Sequence, residues 1–82
     1  MKFEKSGLSG SYDERHDVLY IYYRGRDPSY GTEDPDGFVM MKSMETDKIT
    51  GYLIYEFKKN GIGLDRLDYV FRCTVRELQA EL

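Results

Sequence analysis

An 82-residue chain that is 40% hydrophobic and 33% charged has the composition of one globular domain, which excludes an unfolded polar chain and an apolar membrane span. Surface scaling for a chain of this size gives burial of about 64% on folding, enough for one core with little to spare. Twelve basic residues against fifteen acidic leave a net charge of −3, which excludes a general electrostatic grip on nucleic acid.

The first segment, Met1-Lys2-Phe3-Glu4-Lys5, mixes charges with one aromatic and lacks the apolar stretch of a signal peptide. Cys73 is the single cysteine, so no internal disulfide forms, and the expected compartment is the cytoplasm. No run approaches the 18 apolar residues a membrane helix needs. No internal repeat or linker is visible.

Tyr12 to Asp17 reads as a polar turn that lets Gly10 to Asp13 pair back as a short hairpin arm. Val18-Leu19-Tyr20-Ile21-Tyr22-Tyr23 is the strongest strand signal, a short aromatic and aliphatic run between Asp17 and Arg24-Gly25. Arg24 to Gly37 holds both prolines and reads as loop, ending in the turn Asp34-Pro35-Asp36-Gly37. Phe38 to Met44 and Ile49 to Phe57 read as two strands of a hairpin. The tail carries two periodicities. Leu64, Leu67, Phe71, Val75, Leu78 and Leu82 form a helical stripe, while Leu67, Tyr69, Phe71, Cys73 and Val75 alternate as in a strand. Aromatic and β-branched enrichment at Tyr69-Val70-Phe71, with a capping-box pattern from Thr74 to Glu77, predicts strand and then helix. One long helix is the alternative. The expected fold is α+β: a small antiparallel β-sheet, a meander of about 4–5 strands, with a C-terminal helix.

Tyr12-Asp13, the polar Glu14-Arg15-His16, then Asp17-Val18-Leu19-Tyr20-Ile21 resembles the opening signature of the YuzE-like family, a domain of unknown function. Ile49-Thr50-Gly51-Tyr52-Leu53-Ile54 resembles the second half of its pattern, so the likeness covers residues 12–57. On that resemblance, residues 1–82 are a single YuzE-like domain with a C-terminal strand/helix extension. The resemblance implies a small β-rich domain with no established activity and no agreed catalytic residues. It also implies an antitoxin-type role toward a small toxin-like protein encoded nearby. The chain departs from the family pattern by placing Tyr22 where a charge is usual and Leu53 where an acid is usual. Both changes add apolar surface, which calls for cover by the tail, a second copy or a partner.

Several constellations have bland readings that outweigh the sharp ones. Asp13, Glu14, His16 and Asp17 suggest a metal or acid–base site, but fit a solvated hairpin turn better. Glu33, Asp34 and Asp36 lack the ligand alternation of a calcium loop. Gly61-Ile62-Gly63 is too short for a phosphate cradle. Cys73 reads as a buried, inert thiol on a strand, and Met40, Met41 and Met44 as core filling. Tyr20, Tyr22, Tyr52 and Tyr55 suit protein contacts, and stacked bases less well at this charge. The expectation is a non-enzymatic, homodimeric protein-interaction module. Tyr20, Tyr22, Leu53 and Tyr55 form its interface, with no catalytic residue, cofactor or metal. The alternative is a nucleic-acid-binding or small-ligand-binding protein using the tyrosine-rich sheet face.

Overall fold

The computed structural model describes residues 1–25, 28–34, 38–58 and 67–81. Strand β1 (Lys2–Lys5) turns back into β2 (Leu8–Asp13) through Ser6 and Gly7, both at positive φ (54° and 80°). That is the twist a two-residue hairpin requires. Strand β3 (Val18–Tyr23) occupies the six residues of the strongest sequence signal. Then come β4 (Ser29–Asp34), β5 (Phe38–Ser43), β6 (Ile49–Tyr55) and the helix α1 (Tyr69–Glu81). The six strands make one antiparallel sheet in the order β1-β2-β3-β6-β5-β4. The α+β architecture is as expected, with six strands in place of 4–5.

The extra strands are the two edges. Lys2–Lys5 carries three charges, and Ser29–Asp34 lies in the stretch expected to be loop. Edge strands favour polar and charged residues because these discourage pairing with other chains, and that polarity erases the strand signal. The tail is the second correction. Tyr69 to Val75, expected to begin as a strand, is helical, and α1 is a single helix. Tertiary packing overrides local propensity here. Phe71, Val75 and Leu78 lie at helical spacing and are fully buried, whereas Tyr69, an apolar position in the strand pattern, is 70% exposed. Thr74 is a buried mid-helix residue and not a cap; the carbonyl of Asp68 accepts the first helical N–H, from Arg72 at 2.8 Å. Leu64 and Leu82 of the expected stripe, Asp36 and Gly61-Ile62-Gly63 lie outside the described residues.

The core lies between α1 and one face of the sheet. Leu8, Tyr12, Leu19, Ile21, Phe38, Tyr52 and Ile54 point to that side, with Met40 packed against them. The Phe71 ring sits 4.9 Å from Tyr52 and 4.8 Å from Tyr23, centroid to centroid, in edge-on contacts. Tyr52 keeps its polar tip satisfied, since its hydroxyl accepts the Asp68 N–H at 3.2 Å. Burial raises its pKa. Lys5 reaches Glu81 at 2.5 Å and Glu77 at 3.6 Å, tying the β1 edge to the helix.

The strand order contains a symmetry absent from the sequence. A half-turn about the sheet normal between β3 and β6 carries β1-β2-β3 onto β4-β5-β6. The two central hairpins repeat the same turn. Asp13 Oδ1 accepts the N–H groups of Arg15 and His16, and Asp17 follows at φ 55°. Thirty positions on, Ser43 Oγ accepts the N–H groups of Glu45 and Thr46, and Asp47 follows at φ 61°. Each aspartate then receives a tyrosine hydroxyl, Tyr12 on Asp17 at 2.7 Å and Tyr30 on Asp47 at 2.6 Å. No described helix is long and apolar enough to cross a membrane.

Candidate interaction surface

Cross-strand partners share a face, so the register fixes what the helix-free side displays. One transverse row reads Lys2, Ser11, Tyr20, Leu53, Val39, Glu33 from the β1 edge to the β4 edge. The next row reads Glu4, Ser9, Tyr22, Gly51, Met41, Gly31. Val18 and Tyr55 pair in a third row. Tyr20, Tyr22, Leu53 and Tyr55, the four expected interface residues, therefore stand together on this face. Val18, Tyr20, Tyr22, Val39, Met41 and Leu53 are half-buried and Tyr55 is 46% exposed. Tyr20 and Tyr22 lean together, with ring centroids 5.0 Å apart.

Tyr52 does not belong to this group; the two-residue period puts it on the helix side, fully buried. Gly51 belongs to the face and needs to be glycine. A Cβ there would come within 2.5 Å of the Ile21 carbonyl oxygen and 2.8 Å of Tyr22 Cβ. This close approach between β3 and β6 accounts for the glycine of the Ile49-Thr50-Gly51 segment. Of the methionines, Met40 packs on the core, Met41 lies on the helix-free face, and Met44 is 68% exposed, not core.

The acidic cluster around His16 separates into two devices. His16 Nδ1 lies 2.7 Å from Asp13 Oδ2, both exposed, and that hydrogen bond is the first cause holding the Asp13 carboxyl below its usual range. Asp17 points elsewhere. Its Oδ1 takes the Tyr12 hydroxyl and the Lys58 N–H at 3.0 Å, and its carbonyl takes the Phe57 N–H at 3.0 Å. The Tyr12-to-Asp17 spacing in the sequence thus serves a latch between the β2–β3 turn and the exit of β6. Among the described residues no group of three His, Cys, Asp or Glu side chains converges on a metal-sized space. We expect His16→Ala to leave Tm within about 3 °C of the parent in a thermal melt, the range for a surface position in a domain of this size. A larger loss would give the His16–Asp13 pair a structural role.

Cys73, expected on a strand, is half-buried on α1. Among the described residues, open hollows lie on both sides of the sheet. One, of about 380 Å³, runs beside Tyr22 and is lined by Lys2, Phe3, Glu4, Ser9 and Gly10. Another, of about 550 Å³, lies on the helix side among Tyr23, Met40, Lys42, Asp47, Lys48, Ile49 and Asp68. The first opens onto the helix-free face, beside the aromatic rows. Comparison with protein-family models, with curated proteins and with solved structures returns no match for this chain.

Proposed function

We propose that the protein is a non-enzymatic protein-interaction module that binds through the helix-free face of its sheet and self-associates as a homodimer. The observation that carries this reading is the band of half-buried Val18, Tyr20, Tyr22, Val39, Met41 and Leu53 across the middle of that face. α1 covers the opposite side, and among the described residues this band is an apolar surface that the helix does not cover. Tyrosine and methionine suit such a surface, the first as a rigid ring with a polar tip and the second as an adaptable filler. The YuzE-like resemblance belongs to the same proposal, and an antitoxin-type complex with a small protein encoded nearby is the form of partnership it implies. The cytoplasm is the proposed compartment.

The test is Tyr22→Arg. It places a charge in the centre of the band while leaving the β3 backbone intact. Self-association should weaken by about 2 kcal/mol if Tyr22 is a buried anchor, with an unchanged circular dichroism spectrum. An unaltered association constant in sedimentation equilibrium would remove this face from the interaction.

A further inference from the structure

Resting on that reading, we infer that two copies pack face to face about a two-fold axis parallel to the strands, between β3 and β6, with Lys2 of each copy opposite Glu33 of the other. The inference follows from the charge order of one row. Lys2 stands at the β1 end and Glu33 at the β4 end, with Ser11, Tyr20, Leu53 and Val39 between. A two-fold axis along the strands lays this row on its own reverse. β1 then faces β4, β2 faces β5, and β3 faces β6. Lys2 meets Glu33 at both edges, and Tyr20 meets Leu53 at the centre. The other in-plane axis, across the strands, would set Lys2 against Lys2 and Glu33 against Glu33. Like charges facing each other disfavour that arrangement.

Both charges are available for this use. Glu4, the one acid of β1, lies 3.6 Å from Arg24, whereas neither Lys2 nor Glu33 has an ion-pair partner among the described residues. Shape agrees with charge in the second row. The same axis sets Met41 of the second copy over Ser9, into the hollow of about 380 Å³ that Lys2, Glu4, Ser9 and Tyr22 line. It sets Tyr22 opposite Gly51. Aligned sheets pack about 10 Å apart with strands within about 30° of each other, a gap that a lysine and a glutamate span together.

Six strands at about 4.8 Å spacing, each about 17–20 Å long, give a plan area of roughly 450 Å² per copy. That lies at the small end of specific interfaces, the class of reversible complexes, so the expected dimer dissociates on dilution.

The experiment uses the full chain and two charge reversals, Lys2→Glu and Glu33→Lys. Each alone turns both edge pairs repulsive and should weaken self-association about tenfold. A one-to-one mixture of the two variants restores opposite charges at both edges of the heterodimer. Association should return to within about twofold of the parent, with heterodimer dominating in native mass spectrometry. Raised salt should shrink the difference between variants and parent. If the parent dimerises and Tyr22→Arg disrupts it, but the mixture does not recover, the axis proposed here is wrong while the interaction face stands. A heterodimer of Lys2→Glu with the parent that outcompetes both homodimers would select the axis across the strands. A parent that is monomeric at millimolar concentration overturns both this arrangement and the dimer on which it rests.

Discussion

Replacing Phe71 by alanine should destabilise the protein by about 3–5 kcal/mol, the range for removing a fully buried ring. Phe71 is 0% exposed and is the point where α1 meets the sheet, wedged edge-on between Tyr52 and Tyr23. Its loss opens a cavity against Tyr52, which is itself fully buried and in edge-on contact with Phe38 at 5.9 Å between ring centroids. A domain of 82 residues has a total stability on the order of 4–12 kcal/mol, so this single truncation removes a large part of it. Urea unfolding is the measurement, with the loss appearing in the midpoint. Phe71→Leu, which retains most of the volume, should cost less than half as much. Equal losses for the two variants would mean that ring contacts, more than filled volume, hold the helix to the sheet. No loss for alanine would mean that α1 contributes little to the fold.

The same contact explains where sequence reasoning succeeded and where it failed. Val18 to Tyr23 was legible to the residue because a central strand buried against a helix needs a short aliphatic and aromatic run between turn residues. Ile49 to Tyr55 and Phe38 to Ser43 were legible to within two residues for the same reason. The edges were not. Ser29 to Asp34 carries little apolar signal, because Tyr30, Gly31, Thr32 and Glu33 are all exposed. Nor was the helix start, since Tyr69-Val70-Phe71 has strand composition and only the position of the sheet makes Phe71, Val75 and Leu78 the residues that matter. The internal two-fold was hidden more thoroughly. Equivalent positions of β2 and β5 hold Leu8 and Phe38, or Tyr12 and Lys42, and what recurs is a turn geometry that Asp13 and Ser43 achieve with different side chains.

The candidate face was half legible. Alternation placed Tyr20 with Tyr22 and Leu53 with Tyr55, and the register then brought the two pairs side by side. Grouping Tyr52 with them ignored the period of two. The edge charges could not be read at all, because Lys2 and Glu33 join one row only through five successive strand pairings.

Asp17→Ala should cost about 3 kcal/mol, a large effect for a residue in a turn. About 1 kcal/mol comes from the backbone, since Asp17 sits at φ 55°, where alanine is strained and aspartate or asparagine is tolerated. The rest comes from the carboxylate, whose Oδ1 holds both the Tyr12 hydroxyl and the Lys58 N–H. Asp17→Asn keeps an acceptor and the left-handed conformation, so it should lose about 1 kcal/mol only. The two variants separate strain from hydrogen bonding, and alkaline pH adds a third discriminator. The hydrogen bond to Asp17, with burial second, pushes the Tyr12 phenol from 10.0 up to about 12. A raised pKa means that the fold favours the neutral phenol. Its contribution is therefore complete below pH 10, and is lost as pH rises from there through about 12. In Asp17→Asn the negative neighbour is gone, so Tyr12 should ionise closer to its ordinary value. The stability gap between parent and Asp17→Asn should consequently narrow as pH passes from 10 to about 12. A spectroscopic tyrosinate titration beside unfolding curves in that window checks both parts. A gap that stays constant would show that the Tyr12–Asp17 contact does not latch the β2–β3 turn to the end of β6, and that Asp17 acts through its backbone alone.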